Sequence, residues 1–181
     1  MEEDFRFAKE VDYAPENEQD AIDNYRRILT TVGQIAGEFI AEQAESVDRE
    51  GNTLCEDGTV RYSQGITKDL EMLGKAQTMG FTLPYRFGGL NCPNLVYTMA
   101  NEIVSRGDAS LMNIFGLQGI AETINAFGSE EIKQQYLPYF ASGKYTGAMV
   151  LTEPDAGSDL QACKCRAYQD SNGKWYINGV K

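Results

Sequence analysis

The stretch Met149-Val150-Leu151-Thr152-Glu153-Pro154-Asp155-Ala156-Gly157-Ser158-Asp159 is where the residue types and spacing of this chain offer chemistry. It starts as an apolar strand, breaks at Pro154, turns through Ala156-Gly157 and presents two hydroxyls, Thr152 and Ser158. Pro154 has no backbone donor and biases Glu153 toward an extended conformation, while Gly157 permits positive φ or the close approach of another group. A turn of this kind can aim backbone N–H groups and hydroxyls at one anionic or heteroaromatic ligand. On spacing alone, an ordinary strand-to-loop exit with Thr152 and Ser158 as turn caps is the more economical reading.

Helices must position that stretch. From about Asp20 to Asp48, Ile22, Tyr25, Leu29, Val32, Ala36, Phe39 and Val47 recur at threes, fours and their sums, which predicts an amphipathic helix with Arg26, Glu38, Glu42 and Glu45 opposite. Gly33 and Gly37, four apart, either allow another helix to approach or only lower helix stability by about 1 kcal/mol each relative to Ala. Gly51-Asn52 and Asp57-Gly58 predict a long loop or short hairpin over 49–66. Thr67 is the expected cap of a helix through Leu70, Leu73 and Met79, stopped at Gly80. Pro93 suits the first turn of the next helix, whose apolar stripe runs from Leu95 to Val104. Asp108–Phe127 has almost no polar face and predicts one buried, central helix; its Met and Phe residues either line an apolar pocket or form plain bundle core. Gly128-Ser129 ends that helix and caps another, with Glu130 and Glu131 at its N-terminal dipole and Gly143 closing it.

Beyond Gly143 the period becomes strand-like. Tyr145–Leu151 and Leu160–Tyr168 are the expected strands, Asp170-Ser171-Asn172-Gly173 a hairpin turn, and Lys174–Ile177 the returning strand. Two paired strands and a stub make no independently stable sheet, so the chain is expected to continue into further strands and a second helical domain. Residues 1–15 predict an extension that packs on the domain or frays.

Composition excludes several classes. The net charge of −11 resides in residues 1–60, with sixteen acidic against five basic side chains; residues 61–181 carry eleven of each. That opposes binding to nucleic acid or an anionic membrane, which needs a basic face. No apolar run reaches membrane-spanning length and Met1-Glu2-Glu3-Asp4 lacks a basic leader, so a cytoplasmic protein is expected. Without histidine, the cysteines Cys55, Cys92, Cys163 and Cys165 do not form a zinc pattern and read as free thiols, with Cys163 and Cys165 on one face of a strand.

Thr152-Glu153-Pro154-Asp155-Ala156-Gly157-Ser158-Asp159 resembles the T-E-P-x-A-G-S-D flavin-binding signature of the acyl-CoA dehydrogenase family. Leu83-Pro84-Tyr85-Arg86-Phe87-Gly88-Gly89 is similar to the family's L-P-x-x-[YF]-G-G loop. Phe127–Pro138 is similar to its F-G-[ST]-E-E-x-K-x-x-Y-L-P helix, and Tyr176–Lys181 to its Y-x-[IL]-N-G-x-K strand. The likeness runs from about Gly65 to Lys181. The acidic helix and its loop resemble the larger bacterial members.

The resemblance implies a mainly α fold: the family's N-terminal helical bundle followed by the first strands of its middle β-barrel-like domain. It divides the chain into an extension with acidic helix and loop insertion (1–64), the rest of the helical domain (65–144) and an incomplete β domain (145–181). It implies FAD, with Met149, Leu151 and Thr152 beside the isoalloxazine ring and Gly157 and Ser158 near the pyrophosphate and the CoA-thioester side; Glu153 and Asp159 stabilise the turn. The region from Phe115 to Gln118 is placed near the acyl chain. In this family a Glu from the C-terminal domain removes the α-proton while the β-hydride moves to flavin, giving a trans-2-enoyl-CoA. That Glu is expected beyond residue 181, so these residues alone are expected not to catalyse and to bind FAD weakly or not at all. An electron-transferring flavoprotein is the implied acceptor, and a homodimer or homotetramer the implied assembly. An acyl-CoA oxidase and a DNA-binding, alkylation-response relative share the architecture, and a helical interaction module without ligand remains a further reading.

Overall fold

The computed structural model describes residues 3–181 and divides into two compact units, one running to Ala148 and one of Met149–Lys181. The first is helical. Helix α1 (Glu18–Ile35) starts where Asn17 accepts a hydrogen bond from the Asp20 N–H at 3.0 Å, with Glu18 and Asp20 favourable at its positive end. It passes through one π turn, Ala36–Ile40, into α2 (Ala41–Glu50). The single helix expected over 20–48 is therefore present with a π turn inside it. Gly33 and Gly37 face open space, so neither is a site of close helix approach.

A two-residue hairpin follows, β1 (Thr53–Leu54) against β2 (Val60–Arg61), turned at Asp57-Gly58. Helix α3 (Gln64–Lys75) is capped by Ser63, one turn before the expected Thr67, and ends at Ala76 instead of Gly80. The buried stripe explains the shift. Ile66 and Leu73 both face the core, so the helix must already run at residue 66, and the Ser63 hydroxyl accepts from the Ile66 N–H. Gln77, at φ 58°, leaves the helical path before Gly80.

Helix α4 (Asn94–Gly107) begins directly after Pro93, which holds the N-cap position without a side-chain hydrogen bond. The expected single helix over 108–127 is broken into α5 (Ala109–Leu117), a 3-10 turn at Gln118–Ile120 and α6 (Ala121–Phe127). Tyr97 is the physical reason. Its hydroxyl lies 2.8 Å from the carbonyls of both Phe115 and Gly116, between which its single proton is shared, and accepts from the Gly119 N–H at 3.2 Å. A side chain thus replaces part of the helical ladder and re-aims the chain. Only one face stays covered: Leu111, Phe115, Gln118 and Ala121 are buried, whereas Phe127 is 86% exposed.

Helix α7 (Glu130–Ala141) starts at the expected cap, with the Ser129 hydroxyl accepting from the Ile132 N–H, and Gly143 closes it at φ 73°. Its Leu137, Phe140 and Ala141 pack with Leu83, Phe87 and Ala121. The loop motif at 83–89 and the helix motif at 127–138 are therefore packing partners, joined at the surface by Arg86 and Glu130 at 2.8 Å. A larger core gathers Val32, Ile40, Ile66, Leu73, Val96, Val104, Leu111 and Phe115. The N-terminal extension packs on the same loop: Phe7 and Tyr13 set their rings edge-on against Tyr85 at 5.5 and 5.4 Å. No helix among the described residues is long and apolar enough to cross a membrane.

One core residue carries a charge problem. Asp69 on α3 is fully buried; Gln43 donates to one carboxylate oxygen at 2.9 Å and the other has no partner. Burial, and then the Asp108 carboxylate, push its pKa up to about 6. Because the folded value lies above the unfolded one, the associated stability is present below about pH 4 and is lost as pH rises through about 6. Asp69→Asn keeps an oxygen for Gln43 and removes the charge. It is expected to raise unfolding stability by about 2 kcal/mol near neutral pH, with the gain vanishing near pH 4. Urea unfolding at several pH values checks this; a gain that does not change with pH contradicts it.

Candidate functional site

The segment leaving α7 runs through Tyr145–Ala148, the last residues of the helical unit. Gln118, buried in the 3-10 turn, holds it: the side-chain amide donates to the carbonyls of Phe140 (3.3 Å) and Tyr145 (3.2 Å), and its oxygen accepts from the Gly147 N–H at 3.2 Å. Gly147 permits this approach. A Cβ there would meet the Ile120 side chain, the Leu117 carbonyl oxygen at 3.0 Å and the Phe140 ring at 3.1 Å.

The second unit is small. The strand expected at 145–151 is not formed: these residues lie outside the ladders found among the described residues, and Met149, Val150 and Leu151 are exposed. A strand needs a neighbour for its N–H and C=O groups, and none pairs with this segment here. The strand expected over 160–168 begins only at Arg166. Leu160–Ala162 instead make a 3-10 turn, capped where Asp159 accepts from the Gln161 N–H at 3.2 Å. Cys163 and Cys165 consequently precede the strand, and none of the four cysteines is in a disulfide among the described residues. The hairpin pairs β3 (Arg166–Gln169) with β4 (Trp175–Asn178), register Tyr168 opposite Tyr176, and Asp170 holds the turn by accepting from the N–H groups of Asn172 and Lys174.

The signature loop is braced from within. Glu153 and Ala156 exchange both backbone hydrogen bonds, at 2.9 and 3.1 Å, so the tight turn is Pro154-Asp155 and not Ala156-Gly157 as expected. The cause is Pro154, whose fixed φ suits the first corner of a turn. Gly157 is outside the positive-φ set, and a Cβ there would meet only the Thr152 methyl, at 4.0 Å. Its small size leaves its outer side open.

Glu153 is the anchor of this loop. It is 7% exposed, and its carboxylate accepts from the Lys164 N–H (2.6 Å) and the Cys165 N–H (3.0 Å) and pairs with the Lys181 amine at 3.0 Å. The Lys164 hydrogen bond, ahead of those from Lys181 and Cys165, brings its pKa down to about 2. The Lys181 amine also donates to the Leu151 carbonyl at 2.9 Å and lies 3.9 Å from the Cys163 sulfur. Asp155 and Lys164 meet at 3.3 Å on the surface, where such pairs contribute little.

Thr152, Gly157 and Ser158 are exposed, and no hydrogen bond within the described chain engages the hydroxyl of Thr152 or Ser158. The structure brings Met149, Leu151, Thr152, Gly157 and Ser158 into one short segment of the second unit. Phe115 belongs to the other unit, fully buried against Phe81 and Tyr97. Two residues escaped the sequence reading as positioning groups. Lys181 was visible only as the last letter of a motif, and Gln118 as a lone amide in an apolar run. The donor set suits a flavin: apolar side chains exposed beside it, a free hydroxyl at each end of a rigid turn, and a glycine with an open outer face.

Residues 23–144 match the model of the acyl-CoA dehydrogenase N-terminal domain. The chain is 33% identical over 88% of its length to 3-methylmercaptopropionyl-CoA dehydrogenase of Ruegeria pomeroyi, covering 27% of that protein. It is 34% identical over 88% of its length to the mitochondrial isovaleryl-CoA dehydrogenase of Solanum tuberosum, covering 36% of it. It therefore spans about a third of the length of these curated relatives. Among solved structures, a chain from a study of the electron transferring flavoprotein of Acidaminococcus fermentans superposes with a TM-score of 0.72 at 29% identity, over 86% of this chain and 38% of that one. With a domain match across most of the helical unit and relatives of this identity, the chain belongs to the acyl-CoA dehydrogenase family.

Proposed function

We propose that this chain supplies the helical wall and the first flavin-contacting segment of an FAD-dependent acyl-CoA dehydrogenase that converts an acyl-CoA thioester to its trans-2-enoyl product. The observation that carries the proposal is the Thr152–Ser158 loop, braced through buried Glu153 while both hydroxyls stay exposed and unengaged. Preorganised donors at a site of developing charge stabilise it without reorganisation. Bound FAD supplies the acceptor for the hydride leaving the β-carbon.

Met149 and Leu151 offer apolar contact to the ring, and Thr152 donates to its edge from the hydroxyl or the backbone N–H. Gly157 and Ser158 lie toward the pyrophosphate and the CoA thioester. Phe115, buried as it is, backs the acyl-chain side of the helical unit. The proton-abstracting carboxylate comes from outside these 181 residues, in keeping with the share of the relatives that the chain covers. An electron-transferring flavoprotein is the proposed acceptor, supported by the family and by the Acidaminococcus structure.

Flavin content and absorbance of the full-length gene product, followed by anaerobic titration with acyl-CoAs of graded length, test this reading. The expected result is a yellow protein with stoichiometric FAD, bleached by one chain-length class. A colourless protein that cannot be reconstituted removes the cofactor. A flavin-loaded protein that no acyl-CoA bleaches removes the dehydrogenation, and oxygen consumption without an added acceptor moves the reaction to an oxidase.

A further inference from the structure

We infer that Lys181 is a positioning residue for Thr152, holding the peptide carbonyl before it and the Glu153 carboxylate after it so that its exposed hydroxyl and N–H keep one direction. The inference rests on the proposed flavin site. The Lys181 amine is bonded to the carbonyl of Leu151 at 2.9 Å and to the carboxylate of Glu153 at 3.0 Å, the residues immediately before and after Thr152. It reaches them from the residue three places after β4, so the contact crosses from the hairpin to the signature loop.

Glu153 extends the brace. The same carboxylate also accepts from the Lys164 and Cys165 N–H groups, so the signature loop, residues 164–165 and Lys181 of the second unit meet on it. The Lys181 side chain is 28% exposed and the Glu153 side chain 6%, which separates this pair from the water-screened pairs elsewhere on the surface. The backbone of Glu153 is itself locked to Ala156 by two hydrogen bonds, at 2.9 and 3.1 Å. Thr152 is left as an exposed residue between two fixed neighbours. Such an arrangement holds a binding group in place at the moment a ligand arrives, because its supporting contacts are already made. Lys181 donates inward to the loop and touches no cofactor atom in this scheme.

Lys181→Met removes the charge and both hydrogen bonds at nearly constant length, and Lys181→Arg restores a cation with donors. In the full-length flavoprotein, K181M is expected to raise the Kd for FAD about tenfold, shift the bound-flavin absorbance band and lower kcat about tenfold, with a smaller change in acyl-CoA KM. K181R is expected to recover most of each loss. The decisive comparison is a double-mutant cycle with Thr152→Val, read on FAD affinity and kcat. If Lys181 acts through Thr152, K181M costs little further in the T152V background.

Additive losses, or a K181M protein with the wild-type flavin spectrum, affinity and kcat, overturn the inference. Should K181M fail to fold, the cycle is run with Lys181→Gln, which keeps one donor. A wild-type protein that takes up no FAD instead overturns the proposed site itself, an outcome distinct from either result of the cycle.

Discussion

Gly89→Ala is expected to cost the helical unit about 3 kcal/mol or more and to loosen the loop over residues 83–92. A Cβ on Gly89 would stand 2.5 Å from the Leu83 carbonyl carbon and closer still to its oxygen. Both are backbone atoms, so no rotamer change relieves the clash. The loop cannot shift as a whole either. Leu90 and Cys92 donate to the carbonyls of Gly80 and Phe81, and Asn91 donates to Leu83, at 2.9, 2.8 and 2.9 Å. Beneath it, Leu83 and Phe87 pack on Leu137, Phe140 and Ala141 of α7, and on its outer side Tyr13 donates to the Gly89 carbonyl at 3.3 Å. The displaced loop therefore uncovers α7 and frees the N-terminal extension. Chemical denaturation gives the stability loss, and protease sensitivity near residues 83–92 gives its location. A Gly89→Ala protein within about 1 kcal/mol of the parent would show that the loop adapts.

Gln118→Leu is expected to destabilise the same unit by about 3 kcal/mol, for a different reason. Leucine is close in size, so little cavity forms. Three hydrogen bonds are lost together, at about 1 kcal/mol each, leaving the Gly147 N–H and the Tyr145 carbonyl to find other partners while the Phe140 carbonyl keeps the Gly143 N–H at 3.0 Å. The tight seat of Gly147 against Leu117, Ile120 and Phe140 keeps a replacement water from entering without displacement of the chain. Amide hydrogen exchange at Gly147 should accelerate before the rest of the unit opens. Gln118→Glu separates the roles. Its carboxylate can still accept from Gly147 but can no longer donate to the two carbonyls unless protonated, so its stability should fall as pH rises. Unchanged exchange at Gly147 in both variants would dismiss the amide as the tether.

The helices were legible because their signals are local. Ser129 and the apolar stripes at three- and four-residue spacing act over one or two turns, and the helices over 18–35, 41–50, 94–107 and 130–141 form where those signals stand. The misplaced boundaries share one cause. At residue 67 a plausible cap lost to Ser63 because Ile66 must face the core. At 118–120 an unbroken apolar run lost to Tyr97, whose hydroxyl comes from another helix. The core that buries Ile66 is assembled from other elements and Tyr97 comes from α4, so neither can be counted from spacing.

By itself the sequence determined the family and the mainly helical fold and singled out the Thr152–Asp159 loop, since an eight-residue signature and helical periodicity are both read along the chain. Only the tertiary structure decided how that loop is held. Glu153 gathers donors from residues 164, 165 and 181, and Gln118 ties residues 145 and 147. A hydrogen bond is a relation between groups brought together by folding, and the desolvation that makes Glu153 and Gln118 effective exists only after the chain has packed around them.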